Sequence, residues 1–168
     1  PRYKRALGVG YAVSPTGADH NHNLHDTAFA KEGRALRELR FYGEDFQPLP
    51  IEDLSEAKIR MLWTKTRERG FVNSLVMCDF VPWTPEEWRE ALYAATGWRL
   101  SPEEMLEVGE RTLQLTRLFN LREGISPEED RLPERFFQPF RKGNPEARLD
   151  PEAFREGVRA YRRLAGWE

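Results

Sequence analysis

Apolar residues recur every three to four positions through the longer segments of the chain, and strict alternation of apolar and polar residues is almost absent. Residues 54–66 show the pattern: apolar side chains fall on one side of a helix, and the other side carries Glu56, Lys58, Arg60, Lys65 and Arg67. Residues 102–119 repeat it with an apolar stripe of Met105, Leu106, Val108, Leu113, Leu115 and Leu118. This periodicity is typical of amphipathic helices.

Four short motifs of one kind mark where helices begin. Each places Ser, Thr or Asp before Pro and Glu, which supplies an N-cap oxygen, a proline at the first helical position and an acid in the first turn. The motifs begin at Thr84, Ser101, Ser126 and Asp150. Together with the helical periodicity they predict an all-α, multihelical fold.

The first half of the chain is less regular. Residues 1–13 are apolar but contain Gly8 and Gly10, which weaken a helix prediction. A short helix is predicted within residues 31–40, and Asp53 or Ser55 is expected to cap the helix over residues 54–66. Gly70 either ends this helix or interrupts it, and we favour a short interruption followed by more helix. We expect two helical domains, residues 1–83 and 84–168, both belonging to a longer protein.

Composition removes several classes of function. Lys and Arg number 26 against 28 Asp and Glu, so no strongly basic surface predicts nucleic-acid binding. No apolar run approaches the roughly 20 residues that span a bilayer. A single cysteine excludes an intramolecular disulfide framework and is typical of a reducing cytoplasm. Abundant arginine, and prolines placed in connections, are features of thermophile proteins.

The histidines His20, His22 and His25 all lie within residues 18–26, where polar and turn-forming residues predict a loop. At this spacing they could bind a transition metal. The alternative is a solvated loop in which Asn and Asp side chains make local turns, because a flexible loop offers no framework for three ligands. In a third interpretation, one of these histidines faces a neighbouring active site.

The only cysteine, Cys78, lies in the apolar stretch of residues 71–80, at the expected end of a helix. A lone cysteine in such a stretch is usually a small buried hydrophobe. Its neighbours allow another interpretation, because polar groups flank it and aromatic residues surround it: Asn73, Ser74, Asp79, Phe71, Phe80 and Trp83. An apolar shell with a few amide donors suits a thiolate that binds iron.

A third stretch with unusual chemistry is Asn120-Leu121-Arg122-Glu123-Gly124, followed by Asp130-Arg131-Leu132-Pro133-Glu134-Arg135-Phe136. From the residues alone, Arg122 and Glu123 are expected to satisfy helix ends or each other. The two segments, however, closely resemble the C-terminal part of the tungsten-containing aldehyde:ferredoxin oxidoreductases. Further similarities follow in the same order along most of the chain, at residues 7–20, 74–80, 96–98, 109–111 and 161–167.

The resemblance implies a fold and an activity. In that family a β-rich N-terminal domain lies under a bis-pterin tungsten (occasionally molybdenum) cofactor, and helical domains, which this chain resembles, cover it. Aldehydes are oxidised to carboxylic acids, and electrons leave through a [4Fe–4S] cluster to ferredoxin. Three cluster cysteines come from the earlier part of the protein. Cys78 would be the fourth ligand.

Two further site residues follow from the resemblance. The family pattern Asp-x-x-Gly-Leu-Cys corresponds to Asn73 through Cys78, so Asn73 is the candidate pterin contact, with hydrogen-bonding capacity but no charge. Val76 stands where the family has glycine, which would hold the backbone further from the cofactor. His20 falls in the Gly-Ala-Asp-His stretch and is the candidate donor to an aldehyde oxygen, whereas Asp19 is expected to orient the loop.

Two other functions remain open at this stage. The chain could be a non-catalytic helical scaffold module, which the changes at Asn73 and Val76 favour, or a subunit of a related aromatic acyl-CoA reductase. Three closely spaced cysteines upstream would support the enzyme. With one cysteine and no β-rich region of its own, the isolated chain is expected to hold neither cluster nor tungsten.

Overall fold

The computed structural model describes residues 1–78, 80–140, 144 and 146–167. In these residues the backbone forms α-helices joined by turns, with no β-strand, which confirms the all-α prediction. The α-helices are α1 (Arg5–Val13), α2 (Arg34–Arg40), α3 (Glu56–Ser74), α4 (Pro85–Thr96), α5 (Pro102–Arg122) and α6 (Pro151–Ala165). Among the described helices, none has the length and apolarity needed to cross a membrane.

Three of the four predicted helix starts are confirmed. Thr84 and Ser101 each accept the backbone N–H of the glutamate three residues on, and that glutamate accepts the N–H of the cap residue, so α4 and α5 begin with complete capping boxes. Asp150 accepts the N–H of Ala153 at the start of α6. Ser55, rather than Asp53, caps α3.

The fourth start, at Ser126, was predicted wrongly, because only a 3-10 turn, Pro127–Glu129, follows it. Two features prevent a longer helix. Pro133 lacks the N–H that a helix interior needs. The Asp130 carboxylate is also held by Arg117 of α5, whose guanidinium nitrogens donate to it at 2.7 and 2.8 Å. This buried bidentate pair draws the chain away from a helical path.

Helix α3 lies at the centre of the molecule and packs along α5, with α6 and α1 against its other sides. It continues through Gly70 to Ser74 without the interruption that we had favoured, and Gly70 meets its partner helix α5 at this point. A Cβ atom on Gly70 would lie 2.6 Å from the backbone oxygen of Gly109, and one on Gly109 would lie 1.8 Å from the oxygen of Arg67. The backbones of α3 and α5 therefore touch where these glycines meet.

The prediction that Lys58 lies on the solvent face of α3 is wrong, because its side chain is fully buried. Its Nζ lies 3.6 Å from Oδ1 of Asp26, which is equally buried. The Asp26 carboxylate also accepts the N–H groups of Ala6 and Leu7 at 3.2 and 3.0 Å. These bonds satisfy the first turn of α1, which explains how this helix forms despite its two glycines.

Candidate functional site

The C-terminal end of α3 positions the candidate cofactor residues. The N–H of Val76 donates to the oxygen of Asn73 at 3.0 Å, and the N–H of Met77 donates to the oxygen of Val72 at 3.4 Å. This pair of bonds is a Schellman motif, which turns the chain sharply away from the helix axis. Cys78 follows directly, so the turn sets the position of its thiol.

The Schellman turn requires a left-handed residue, and Val76 provides it with φ of 56°. A β-branched residue in this conformation is strained, and glycine is the usual occupant. The family pattern has glycine at this position, and Val76 adopts the left-handed conformation that glycine favours.

Replacing Val76 with Gly should raise the free energy of unfolding by about 1 kcal/mol, because the steric cost of the left-handed conformation disappears. Urea denaturation of the purified protein measures the change. Leu75→Gly is the matched control: Leu75 has φ of −76°, so the same change there should destabilise. Destabilisation by both changes would contradict strain at Val76.

Cys78 is an exposed free thiol. Its described neighbours are apolar and unusually accessible: Val76 is 91% exposed and Phe80 is 89% exposed, with Val81 also exposed. Phe71, expected to surround the thiol, instead lies buried in the core, and Asp79 lies outside the described residues. An accessible sulfur among exposed apolar side chains suits a metal ligand that points out of this chain.

A second exposed apolar surface covers the C-terminal half of α5. The sequence predicted one apolar stripe along this helix, but its two ends differ. Met105 and Leu106 near the start are buried, whereas the large apolar side chains further on are exposed: Leu115, Leu118, Phe119, Leu121 and Ile125. Contiguous apolar surface of this kind marks an interaction site.

The histidine loop is ordered by its own polar contacts. Asp19 Oδ1 accepts the N–H of Asn21 at 2.8 Å, and Asp19 Oδ2 contacts Nδ1 of His22. The exposed His20 accepts a hydrogen bond through its backbone oxygen from Nε2 of His25 at 3.0 Å. The structure does not bring the three histidines together as a metal site, since the described residues contain no group of three or more His, Cys, Asp or Glu side chains that could hold a metal ion.

A pocket of about 90 Å³, partly open to solvent, lies between α1, the histidine loop, α3, α5 and α6. It brings together Asn73, a candidate from the sequence, and His22. Among the described residues that line it, the histidine is His22 and not His20. One feature of the sequence could have distinguished His22 from the other histidines. Asp19 lies three residues before it, and at this spacing a turn can bring a carboxylate into contact with the imidazole ring.

Arg122 and Glu123 form an exposed pair, with Arg122 Nε 3.8 Å from Glu123 Oε1. This agrees with the structural interpretation that the residues alone suggested. The buried pair in this region is Arg117 with Asp130, which sequence reasoning missed. Arg117 also lies under the ring of Trp167, 4.8 Å from its centroid, so the C-terminal residues pack against α5.

The chain is an all-α scaffold whose central helix leads into an exposed thiol, that of Cys78. The model of the family described as aldehyde ferredoxin oxidoreductase, domains 2 and 3, matches residues 1–168. The chain belongs to this family.

Its curated relatives carry one name. The tungsten-containing aldehyde ferredoxin oxidoreductases of Pyrococcus furiosus and Thermococcus kodakarensis are 30% and 29% identical over 99% of this chain. The protein of Pyrococcus abyssi is 29% identical over the same share. The chain spans 26% of the length of each of these relatives.

Proposed function

We propose that this chain is the helical C-terminal portion of an enzyme that oxidises aldehydes to carboxylic acids, with electron exit through a [4Fe–4S] cluster to ferredoxin. When bound, a tungsten (or molybdenum) bis-pterin supplies the two-electron acceptor for the aldehyde, and the cluster passes electrons on. The family match and the names of the relatives support this proposal.

The observation that carries the proposal is the exposure of Cys78. A structural cysteine would be buried among aliphatic side chains. Cys78 instead follows a backbone turn that directs the chain outward, and its apolar neighbours would exclude water from a docked cluster. The thiolate of Cys78 supplies one ligand, and the remaining ligands belong to another part of the protein.

Asn73 and His20 have distinct roles in this proposal. The Asn73 amide can donate to and accept from a pterin edge, and it is exposed on the last turns of α3. His20 can donate a hydrogen bond or a proton to the aldehyde oxygen, and its exposed ring is free to face a neighbouring domain. The loop that carries His20 is held by Asp19, as expected.

The exposed apolar surfaces around Cys78 and on α5 have one proposed occupant, the N-terminal pterin-binding domain. The relatives are about four times as long as this chain, so a partner domain of sufficient size exists in the family. Covering Val76, Phe80 and the end of α5 would remove a large apolar area from water.

Replacing Cys78 with Ala in the full-length protein should remove at least one iron from the cluster and abolish its reduced-state electron paramagnetic resonance signal. The cause is the loss of one thiolate ligand. Iron analysis, this spectrum and aldehyde-dependent ferredoxin reduction measure the effect. Met77→Leu is the control, because leucine has a volume similar to that of methionine at this neighbouring position. It should leave the iron content, the spectrum and the ferredoxin reduction unchanged.

A Cys78→Ala protein with an intact cluster would contradict the proposal. A wild-type protein without cluster and tungsten would favour the scaffold module. Reduction of an aromatic acyl-CoA, without aldehyde oxidation, would favour the acyl-CoA reductase subunit.

A further inference from the structure

A groove of about 530 Å³ lies between α6 and residues 130–137. Its wall on α6 is one face of the helix, because the lining residues recur three or four positions apart: Pro151, Phe154, Arg155, Val158, Arg159 and Arg162. The groove shares no lining residue with the pocket beside Asn73, so the two are separate. Its volume is typical of sites that bind small molecules.

The floor of the groove is apolar. It is formed by Leu132, Phe154 and Val158, whose side chains are almost fully buried. The Phe137 ring packs edge-on against the ring of Phe154, with their centroids 5.3 Å apart. A ligand group that lies on this floor must be apolar, because a polar group would lose its water there without gaining a hydrogen bond.

The rim of the groove is rich in cations. Two of its lining residues are acids, Asp130 and Glu134, whereas four are arginines: Arg131, Arg155, Arg159 and Arg162. Three of these arginines form ion pairs with glutamates outside the groove. Arg131 pairs with Glu129, and both Arg155 and Arg159 pair with Glu152 of α6. Arg162 differs, because among the described residues its ion-pair partner is Asp130 alone.

The positive charge of Arg162 is only partly balanced. Its Nε lies 3.9 Å from Oδ2 of Asp130, but both oxygens of this carboxylate already accept hydrogen bonds from Arg117, at 2.7 and 2.8 Å. Two guanidinium groups therefore share one carboxylate. Their surroundings are largely dry, since 6% of the Arg117 side chain and 26% of the Arg162 side chain are exposed. Nε of Arg162 is buried and has no hydrogen-bond partner among the described residues.

This arrangement favours the binding of an anion. A largely buried cation has lost much of its hydration without gaining a full counter-charge, and an anionic group offsets that cost. A guanidinium matches a carboxylate especially well, since its parallel N–H groups reach both carboxylate oxygens. The other lining acid, Glu134, is exposed, so water and salt screen its repulsion of an anionic ligand.

We propose that this groove binds an organic carboxylate with an apolar body, either a chain of several carbons or an aromatic ring. The carboxylate accepts hydrogen bonds from the Arg162 guanidinium, and the apolar body lies on Phe137, Phe154 and Val158. No covalent bond forms or breaks. The site does not depend on the proposed aldehyde oxidation, because neither Cys78 nor the pocket beside Asn73 contributes to it.

Calorimetric titration of the full-length protein with octanoate tests the site. Octanoate should bind the wild type, and Arg162→Gln should weaken this binding about 10-fold or more, because a hydrogen bond to a charged group is lost. Arg163→Gln is the matched control and should bind octanoate as the wild type does, since Arg163 is the next residue on α6, is exposed and does not line the groove. Octanoate bound elsewhere in the protein would bind both variants equally, so the difference between them reports on the groove.

A second pair of variants decides the question even if Arg162→Gln does not fold. Arg159 and Arg163 are each 49% exposed and each pair with Glu156, but only Arg159 lines the groove. Arg159→Glu should therefore weaken octanoate binding by charge repulsion, whereas Arg163→Glu should leave it close to that of the wild type.

Two further probes separate the parts of the ligand. Acetate carries the charge without the chain, and 1-octanol carries the chain without the charge, so each should bind about 10-fold more weakly than octanoate or worse. Acetate binding as tight as that of octanoate would show a simple anion site and overturn the proposal. Equal octanoate binding by the wild type, Arg162→Gln and Arg159→Glu, or no saturable binding to the wild type, would also overturn it.

Discussion

Lys58→Met is expected to lower the free energy of unfolding by about 3 to 5 kcal/mol, the cost of leaving a buried charge without its partner. Methionine has nearly the shape of lysine, so the core keeps its packing. The change removes the ammonium 3.6 Å from Asp26 Oδ1 and the hydrogen bond from Lys58 Nζ to the oxygen of Leu49 at 3.3 Å. Urea denaturation at pH 7 measures the loss.

The loss of unfolding free energy caused by Lys58→Met should depend on pH. Burial raises the pKa of Asp26 in the folded protein. A raised folded-state pKa stabilises the fold below the unfolded value of about 3.9, and this stability is lost as the pH rises through the folded pKa. Lys58→Met should therefore be less costly near pH 4 than at pH 7.

A double variant provides the control for Lys58→Met. Adding Asp26→Asn removes the unpaired charge and should recover a large part of the loss. A double variant as unstable as the sum of the two single variants would contradict the coupling between Lys58 and Asp26.

Gly109→Ala is expected to destabilise the protein by about 3 kcal/mol, the upper end of the usual cost of overpacking. Its Cβ would lie 1.8 Å from the backbone oxygen of Arg67 and 2.9 Å from the nitrogen of Phe71. Both atoms belong to the backbone of α3, so no side-chain rotation relieves the clash and the two helices must separate. Thermal and urea denaturation measure the change.

Glu107→Ala is the matched control for this crossing, because Glu107 is exposed on the same helix. It should change the free energy of unfolding by no more than about 0.5 kcal/mol. Equal stability of Gly109→Ala and Glu107→Ala would show that α3 and α5 are not in backbone contact.

The sequence predicts local structure well where the determinants are local. The caps at Thr84, Ser101 and Asp150 act on backbone groups within three residues, so their motifs are sufficient. The identical motif at Ser126 is not followed by a long helix because Pro133 comes soon after it and because Arg117, nine residues before it, binds Asp130. Tertiary contacts of this kind leave no local signal.

Long-range contacts also explain the other differences. Helix α1 depends on Asp26, which is 19 and 20 residues from the N–H groups it accepts. Lys58 follows the charged pattern of α3 in sequence, yet it is buried because Asp26 lies opposite. The periodicity of a single helix gives no information about the charge of its neighbours.

The candidate site divides in the same way. The family resemblance made Cys78 and Asn73 candidate site residues. The sequence did not predict that Cys78 is exposed, because Phe71, which was expected to surround it, is buried in the core. The sequence placed three histidines in one loop but could not tell which of them faces the cavity. The contact of Asp19 with His22 distinguishes His22 from His20.

The most direct measurement of the central claim is alkylation of Cys78 in the intact native protein, followed by mass spectrometry. We predict that iodoacetamide does not label Cys78 while iron remains bound, and labels it once a chelator has removed the iron. The thiolate would then be a cluster ligand. Labelling of Cys78 at the rate of a free exposed cysteine, with the iron still in place, would contradict it.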